Sequence, residues 1–241
     1  MGRRIWQIEI RVSDLKRAIA FYSSVFDWRI TALSDEYAMA DTGRAPIVSI
    51  WQVGDSGMPL GVCHYVQSED CVVDAGRAVE LGGRVAVERS EVPDAGAWTD
   101  TLDPWNNELA FWQAETMGEP EHSGSATNAI SWVEIGVGDL QQARHYFSEL
   151  VGWNFKEVDG VEDYAIETEL QPGLGLVGGE RGGRLRGMTD YVRVADLARA
   201  SRAVAENGGE VLGEPVDVGD GSLFSLFLDP DQNRFGLVQP A

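Results

Sequence analysis

The sequence predicts an α+β protein built from four βαβββ units. Three observations predict it: an internal repeat, the order of strand and helix patterns inside each copy, and a length of 241 residues that suits two ordinary domains. Residues 8–15 return as residues 133–140, and Asp103-Pro104 returns as Asp229-Pro230. An offset that stays nearly constant along the chain indicates two copies of one architecture rather than one shared motif.

The elements of the first copy follow from local patterns. Residues 5–12 alternate as a strand does, and apolar residues then recur at helical spacing after Asp14, which is suited to cap that helix. The same order recurs later in the copy, where Gly82-Gly83 ends a second helix. The remaining strands are expected at about 28–33, 36–41, 46–52, 61–67, 84–88, 97–102 and 108–113, and the second helix at 72–81.

Each copy is predicted to be a domain, over residues 1–114 and 129–241, with a polar linker over 115–128. A hydrophobic content of 44% is typical of a folded globular protein. The net charge of −20 repels nucleic acid and anionic membrane surfaces, so both are excluded as expected partners. No apolar run approaches the length of a membrane span, and Cys63 and Cys71 do not form a disulfide framework. We expect a cytoplasmic protein with a small-molecule ligand or substrate.

Four motifs occur in both copies with small variations. They are a first strand ending in Val-x-Asp-Leu, a helix with Ala-x-x-Phe-Tyr followed by Trp, a Gly-Gly helix end, and a late Asp-Pro-x-x-Asn. With the paired βαβββ units, these motifs resemble the vicinal oxygen chelate superfamily. That superfamily includes glyoxalase I, extradiol dioxygenases, fosfomycin-resistance enzymes and bleomycin-binding (bleomycin resistance) proteins. The chain is also similar to tandem actinobacterial glyoxalase-like proteins. The resemblance implies two cup-shaped glyoxalase-like domains that bind small ligands inside the cups, and a monomer or homodimer.

Metal-dependent members of the superfamily hold a divalent metal with His, Gln or Glu side chains inside the cup. Counted from the shared landmarks, the corresponding positions are Gln7, Ser49, Cys63 and Ala110 in the first copy, and Trp132, Thr189, Gly236 and a residue near Gly175 in the second. Because Ala110 and Gly236 offer no donor atom, the resemblance predicts no metal centre of the superfamily type and no cofactor. A shift of one residue would bring in His64 or Asp190, although neighbouring strand residues point to opposite faces.

Two carboxylates and two tyrosines recur on the expected cup faces. Glu9 and Glu134 lie two residues beyond Gln7 and Trp132, and Tyr65 and Tyr191 lie two beyond Cys63 and Thr189. One hypothesis makes them catalytic, each Glu acting as a general base and each Tyr as a hydrogen-bond donor to an oxyanion. The alternative is structural, with Arg11, Arg193 or Arg234 pairing the carboxylates.

The eight tryptophans suggest an aromatic ligand site. Trp28 and Trp153 are expected in the core, and packing is an alternative for each of the others. The expected ligand-binding set is Gln7, Trp51, Cys63, Trp98, Trp112, Trp132 and Thr189. Residues 173–179 are rich in Gly but lack the Lys-Ser/Thr of a phosphate loop, so they are expected to form turns.

Two functions remain open, and a third is disfavoured. The first is a metal-independent protein that holds an apolar or aromatic drug or secondary metabolite in an aromatic-lined cup. The second is a metal-independent isomerase, cyclase or lyase that uses Glu9 with Tyr65, or Glu134 with Tyr191. The third, a metal-dependent glyoxalase or dioxygenase, is disfavoured by the missing donors. A carboxylate paired with Arg favours a structural role, and a carboxylate without that pairing favours catalysis.

Overall fold

A computed structural model describes residues 2–43, 45–115, 127–184 and 187–241, apart from the side chain of Arg184. The predicted linker over 115–128 lies largely outside these residues. The first copy contains β1 (Ile5–Val12), α1 (Leu15–Phe26), β2 (Arg29–Ala32), β3 (Tyr37–Asp41), β4 (Ile47–Gln52), β5 (Gly61–Gln67), α2 (Cys71–Glu80), β6 (Arg84–Val92), β7 (Gly96–Leu102) and β8 (Glu108–Ala114).

The second copy repeats this order with one additional helix. It contains β9 (Ile130–Gly136), α3 (Leu140–Val151), β10 (Lys156–Glu157), β11 (Tyr164–Glu167), β12 (Gly173–Val177), α4 (Gly179–Arg184), β13 (Met188–Arg193), α5 (Leu197–Glu206), β14 (Glu210–Asp217), β15 (Leu223–Leu228) and β16 (Arg234–Gln239). The α+β fold with four βαβββ units is confirmed. Among the described residues, no helix is long and apolar enough to span a membrane.

Four helices begin at an aspartate because its carboxylate satisfies backbone N–H groups that have no partner inside the helix. Asp14 accepts a hydrogen bond from the backbone N–H of Arg17 at the start of α1. Asp70, Asp139 and Asp196 cap α2, α3 and α5 in the same way. The role predicted for Asp14 is therefore confirmed at the first helix of each βαβββ unit.

The strands form two mixed eight-stranded sheets, ordered β2-β3-β4-β1-β5-β8-β7-β6 and β10-β11-β12-β9-β13-β16-β15-β14. Within each βαβββ unit the first strand pairs in parallel with the last, as β1 does with β4 and β5 with β8. The helix is thus the crossover between parallel neighbours and covers one face of its strands.

The chain divides into two compact units, and each unit combines parts of both copies. Unit 1 contains the described residues of Met1–Trp6, Cys63–Pro120 and Trp132–Met188, and unit 2 those of Gln7–Val62, Glu121–Ser131 and Thr189–Ala241. The two Asp-Pro-x-x-Asn turns provide part of this association. Asn107 Nδ2 donates to the carbonyl of Gly136 on β9 in unit 1, and Asn233 Nδ2 donates to the carbonyl of Arg11 on β1 in unit 2.

The prediction of turns over residues 173–179 is wrong. Residues 173–177 form β12, which pairs with β9 and β11 and is fully buried. Gly173 and Gly175 are required there because the ring of Trp132 covers both, and a Cβ at residue 173 would lie 2.6 Å from it. The glycines thus serve close packing against an aromatic ring rather than chain reversal.

Candidate functional site

One face of β5, β7 and β8 in unit 1 brings together several predicted ligand residues. Tyr65 pairs with Ala110, which pairs on its other side with Asp100, and Trp98 pairs with Trp112. Because side chains alternate along a strand, these residues share one face, while the residues between them pack on the opposite face. Cys63, Tyr65 and Ala110 form a buried cluster against which Trp98 and Trp112 pack. We call this surface the aromatic face.

Trp6 on β1 adds a third tryptophan beside Trp98 and Trp112 of the aromatic face, and none of the three is fully buried. Trp6 stacks on Trp112 with ring centroids 6.0 Å apart, and Tyr65 contacts Trp98 edge-on at 6.2 Å. Trp6, Trp98 and Trp112 are all half-buried. Trp28 and Trp153, by contrast, are 3% and 0% exposed and pack in the core as predicted. Part of the indole surface of Trp6, Trp98 and Trp112 is therefore exposed.

Two acidic residues lie on the same face. Cys63 Sγ is 3.7 Å from Asp100 Oδ1, and both residues are 0% exposed. Glu108 on β8 is half-buried, and its carboxylate completes a group in which the three ligand atoms lie within 4.8 Å of one another. We call Cys63, Asp100 and Glu108 the acidic group.

Glu134, in the same unit, belongs to a different arrangement. Tyr164 on β11 donates its hydroxyl to Glu134 Oε1 at 3.3 Å and accepts a hydrogen bond from the Trp132 side chain. Burial and the Glu134 charge raise the pKa of Tyr164 well above its usual value, so the phenol remains a donor at neutral pH. Arg181 on α4 lies over the Tyr164 ring, 5.5 Å from its centroid. A half-buried carboxylate bonded to a phenol is an arrangement suited to proton transfer.

Glu9, in unit 2, occurs in an ion pair. Arg11 Nε donates to Glu9 Oε1 at 3.2 Å, and the two side chains are 1% and 7% exposed. The Arg11 guanidinium also lies over Trp51, 6.0 Å from its ring centroid. Gln7 donates to Tyr37 Oη and to Ser49 Oγ, at 3.1 and 2.8 Å. The structure thus supports the structural alternative for Glu9 and pairs the carboxylate with one of the arginines expected for it.

Thr189 and Tyr191 lie on the face of β13 in unit 2 that corresponds to the aromatic face. Arg234 Nε donates to Thr189 Oγ1 at 2.9 Å, and Phe224 contacts the Tyr191 ring edge-on at 6.1 Å. The ring of Tyr191 lies directly over Gly236, where any Cβ would overlap it. Internal side chains therefore fill this face, unlike its counterpart in unit 1.

Several of the positions that correspond to the superfamily's metal ligands do not suit a metal ion. Ala110 has no donor, and the Gln7 amide is engaged as a donor to two hydroxyl groups. In the second copy the Tyr191 ring covers Gly236, the Trp132 ring and Tyr164 hydroxyl cover Gly175, and Thr189 is bonded to Arg234.

Sequence analysis missed several residues of these arrangements, among them Trp6, which stacks on Trp112. Tyr37 and Tyr164 recur at nearly the repeat offset, and this recurrence was the available signal. Each lies on the third strand of its βαβββ unit, two strands away in the sheet from the strand that carries Glu9 or Glu134. The contacts of these tyrosines with the first strand could therefore be known only from the order of strands in the sheet. Asp100 and Glu108 do not recur, since Leu226 and Arg234 stand at the equivalent places in the second copy, as the strand registers show. No repeat signal could have identified them.

Unit 1 also contains a cavity of about 600 Å³ at the end of β9, lined by Trp105, Gly136, Gly138 and Gly182 among others. It lies where the two copies differ. Gly136 and Gly138 replace Arg11 and Ser13 of the first copy, and Ser13 instead donates to Asp231. None of the predicted site residues lines this cavity.

Paired βαβββ units with parallel first and last strands define a glyoxalase-like class of protein. The family model for the Glyoxalase/Bleomycin resistance protein/Dioxygenase superfamily matches residues 4–111 and 129–237. The chain belongs to this superfamily, and each copy of the repeat is one match.

Similar proteins span nearly the whole chain. CFP32 of Mycobacterium tuberculosis (strain CDC 1551 / Oshkosh), a protein named as a glyoxylase, is 24% identical over 97% of this chain and 94% of its own length. The anthracycline biosynthesis protein DauV of Streptomyces sp. (strain C5) is 26% identical over 99% of this chain and 93% of its own length. Among solved structures, a Mn(II)-bound glyoxalase from Novosphingobium aromaticivorans has a TM-score of 0.64 at 13% identity, covering 99% of this chain and 83% of the other. At that identity the likeness shows the fold alone.

Proposed function

We propose that this chain is a small-molecule-binding protein that holds a flat, largely apolar or aromatic ligand on the aromatic face of unit 1. The observation that carries the proposal is the set of half-buried indoles of Trp6, Trp98 and Trp112 on one sheet face. Half-buried indole surface favours a planar partner through stacking and through the burial of apolar area. Binding of this kind needs no metal at the superfamily's positions.

The difference between the copies supports this assignment. At the places equivalent to Trp6, Trp98 and Trp112, the second copy has Ser131, Phe224 and Val238. The same architecture therefore forms without these indoles, so the fold does not demand them. One relative is named for anthracycline biosynthesis, which is compatible with a polycyclic secondary metabolite or drug as the ligand.

Equilibrium binding of Nile red, an uncharged planar dye, tests the proposal. We expect saturable binding by the full chain, and we expect Trp98→Leu and Trp112→Leu each to weaken it by about tenfold, since a lost ring contact costs about 1–2 kcal/mol. Phe224→Leu is the matched control at the equivalent place in the second copy and should bind as the unchanged chain does. Equal affinity in all three variants, or loss only in Phe224→Leu, would contradict the proposal.

A second function is favoured by the contact between Tyr164 and Glu134. In this alternative the protein is an isomerase, cyclase or lyase in which Glu134 removes a proton next to a carbonyl group and Tyr164 stabilises the resulting oxyanion. At the place of Arg11, which pairs with Glu9 in the first copy, the second copy has Gly136.

Deuterium incorporation distinguishes the two functions without knowledge of the product. A panel of small carbonyl metabolites is incubated with the protein in D₂O and followed by mass spectrometry. Catalysis requires incorporation that Glu134→Gln abolishes and Glu9→Gln preserves. A protein that only binds gives no incorporation above the solvent control with any variant.

A further inference from the structure

The place in unit 2 that corresponds to the cavity of unit 1 holds a bonded carboxylate. Asp231, in the Asp-Pro-x-x-Asn turn, accepts at Oδ1 from the backbone N–H and the hydroxyl of Ser13, at 3.1 and 2.5 Å. Arg17 Nη2 donates to the same oxygen at 2.7 Å. The Asp231 side chain is 4% exposed. Unit 2 therefore binds an anionic oxygen of its own chain at this place.

The equivalent turn of unit 1 has no carboxylate at this place. Trp105, Gly138 and Gln142 stand where unit 2 has the aspartate, the serine and the arginine. The turn is docked in the same way, since Asn107 Nδ2 donates to the carbonyl of Gly136 at 2.9 Å. The cavity of about 600 Å³ lies against Trp105, Gly136 and Gly138. Unit 1 thus has open space where unit 2 has an internal ligand.

Trp105 forms a flat wall of this cavity. Its ring contacts Tyr146 edge-on with the centroids 6.4 Å apart, and this contact fixes the orientation of the indole. Gly138 permits the position, because a Cβ there would lie 3.1 Å from Trp105 Nε1. The indole is half-buried, and a planar aromatic partner suits its remaining surface. The cavity volume is in the range of small-molecule sites.

A backbone N–H marks the end of the cavity where the carboxylate lies in unit 2. Gly138 precedes the cap of α3 as Ser13 precedes the cap of α1. The two caps, Asp14 and Asp139, are both extended, with φ of −145° and −125°, and each accepts from the N–H three residues on. The Gly138 N–H therefore has the direction of the Ser13 N–H. Trp105 cannot accept it, because an indole nitrogen only donates. An oxygen of a ligand suits this place.

The charges favour a neutral ligand over an anion. Arg17 balances the Asp231 carboxylate in unit 2, and Gln142 brings no charge to the same place in unit 1. Arg84 reaches the turn of unit 1, but it is exposed and donates to Asn106 Oδ1 at 2.6 Å. The net charge of −20 also repels anions. A carbonyl oxygen accepts a hydrogen bond without carrying a net charge.

We propose that this cavity binds a neutral, flat aromatic molecule that carries a carbonyl group. The ring of the ligand lies against Trp105. Its carbonyl oxygen takes the place that Asp231 Oδ1 has in unit 2 and accepts from the Gly138 N–H. The site is separate from the aromatic face, because neither Trp98 nor Trp112 lines the cavity, and its occupation does not depend on the proposed function.

Fluorine NMR of the full chain labelled with 5-fluorotryptophan tests the proposal at a single ring. The Trp105 resonance is assigned by its absence in Trp105→Phe. We expect 2-naphthamide to shift this resonance saturably and to bind about tenfold more tightly than 2-naphthoate, which has the same ring system but carries a negative charge. The other tryptophan resonances verify that each variant is folded.

Gln142→Arg tests the position of the ligand oxygen, because it restores the cation that unit 2 has at this place. We expect it to strengthen 2-naphthoate binding by about tenfold and to change 2-naphthamide binding by less than about twofold. Gln141→Arg is the matched control, since it adds the same charge at the neighbouring exposed residue of α3. It should change the affinity for either probe by less than about twofold.

Three outcomes would overturn the proposal. They are a Trp105 resonance that 2-naphthamide does not shift, equal or tighter binding of 2-naphthoate by the unchanged chain, and equal effects of Gln142→Arg and Gln141→Arg on 2-naphthoate.

Trp98→Leu separates this site from the proposed function. It should weaken Nile red binding and leave the response of Trp105 to 2-naphthamide intact. Loss of that response in Trp98→Leu would assign the probe to the aromatic face and overturn the cavity site. A chain that shows the Trp105 response but does not bind Nile red would overturn only the proposed function, and the reverse result would overturn only the cavity site.

Discussion

Replacement of Glu9 by Gln should destabilise the protein far more than replacement of its counterpart Glu134. Glu9 and Arg11 are 7% and 1% exposed, with Oε1 and Nε 3.2 Å apart. Removing one member of a buried pair costs about 3–5 kcal/mol, because the other charge is left without compensation. Glu134 is half-buried and bonded to the Tyr164 hydroxyl, which a Gln carbonyl can also accept, so Glu134→Gln should cost about 1 kcal/mol or less.

Equilibrium urea unfolding, followed by far-ultraviolet circular dichroism, measures both variants in the same chain. The midpoint should fall in Glu9→Gln with an unchanged slope, since the surface exposed on unfolding is the same. Arg11→Met should cost a comparable amount. The double variant Glu9→Gln, Arg11→Met should be less destabilised than the sum of the single changes, by about 2 kcal/mol, because it leaves no charge of the pair buried alone.

Two outcomes would refute this reasoning. If Glu9→Gln and Glu134→Gln differ by less than about 1 kcal/mol, the ion pair does not hold β1 as the structure indicates. If the double variant is simply additive, the two side chains are not energetically coupled. Either result would argue against the structural role of Glu9 and favour the catalytic hypothesis for it.

Two further predictions concern packing and pH. Gly236→Ala should lower the melting temperature by an amount equivalent to about 1–3 kcal/mol, because its Cβ would overlap the Tyr191 ring. Gly183→Ala should be nearly neutral, because outside its own helix its Cβ meets no atom of the described residues within 4 Å; equal effects of the two changes would contradict the packing. Burial raises the pKa of Asp103 to about 6, although its hydrogen bonds with Asn107 and Trp105 act to lower it. Between about pH 4 and 6 the folded state therefore keeps a proton on this carboxyl that the unfolded state has released. The stability from this group should therefore be fully present below about pH 3 and lost by about pH 7, a total of about 3 kcal/mol, of which about 2 kcal/mol is lost between about pH 4 and pH 6. A carboxyl carbon NMR titration of Asp103 near the ordinary value would disprove it.

The order of elements could be predicted because its signals are local. Alternation over residues 5–12 and helical spacing after Asp14 depend only on neighbours in the chain, and both elements formed where they were predicted. The strand formed by residues 173–177 could not be recognised in the same way. Its glycines are explained by the Trp132 ring on a neighbouring strand, which no local pattern contains.

The candidate site was predictable in part. Strand periodicity placed Tyr65 on an expected cup face, Trp98 and Trp112 were in the expected ligand-binding set, and the structure brings the three together. The acidic group was not predicted, because Asp100 is 37 residues from Cys63 in sequence and reaches it only through the pairing of β7 with β8 and of β8 with β5. The contact of Glu134 with Tyr164 could not be predicted for the same reason, because it depends on the order of strands in the sheet.

The sequence by itself determined the duplication, the βαβββ order, and the loss of donors at Ala110 and Gly236, since each of these is a matter of residue type or local spacing. Only the tertiary structure decided that each compact unit combines parts of both copies. It alone distinguished the paired Glu9 from the phenol-bonded Glu134. These features arise from contacts between residues far apart in the chain, whose energies depend on burial and on strand neighbours that periodicity does not encode.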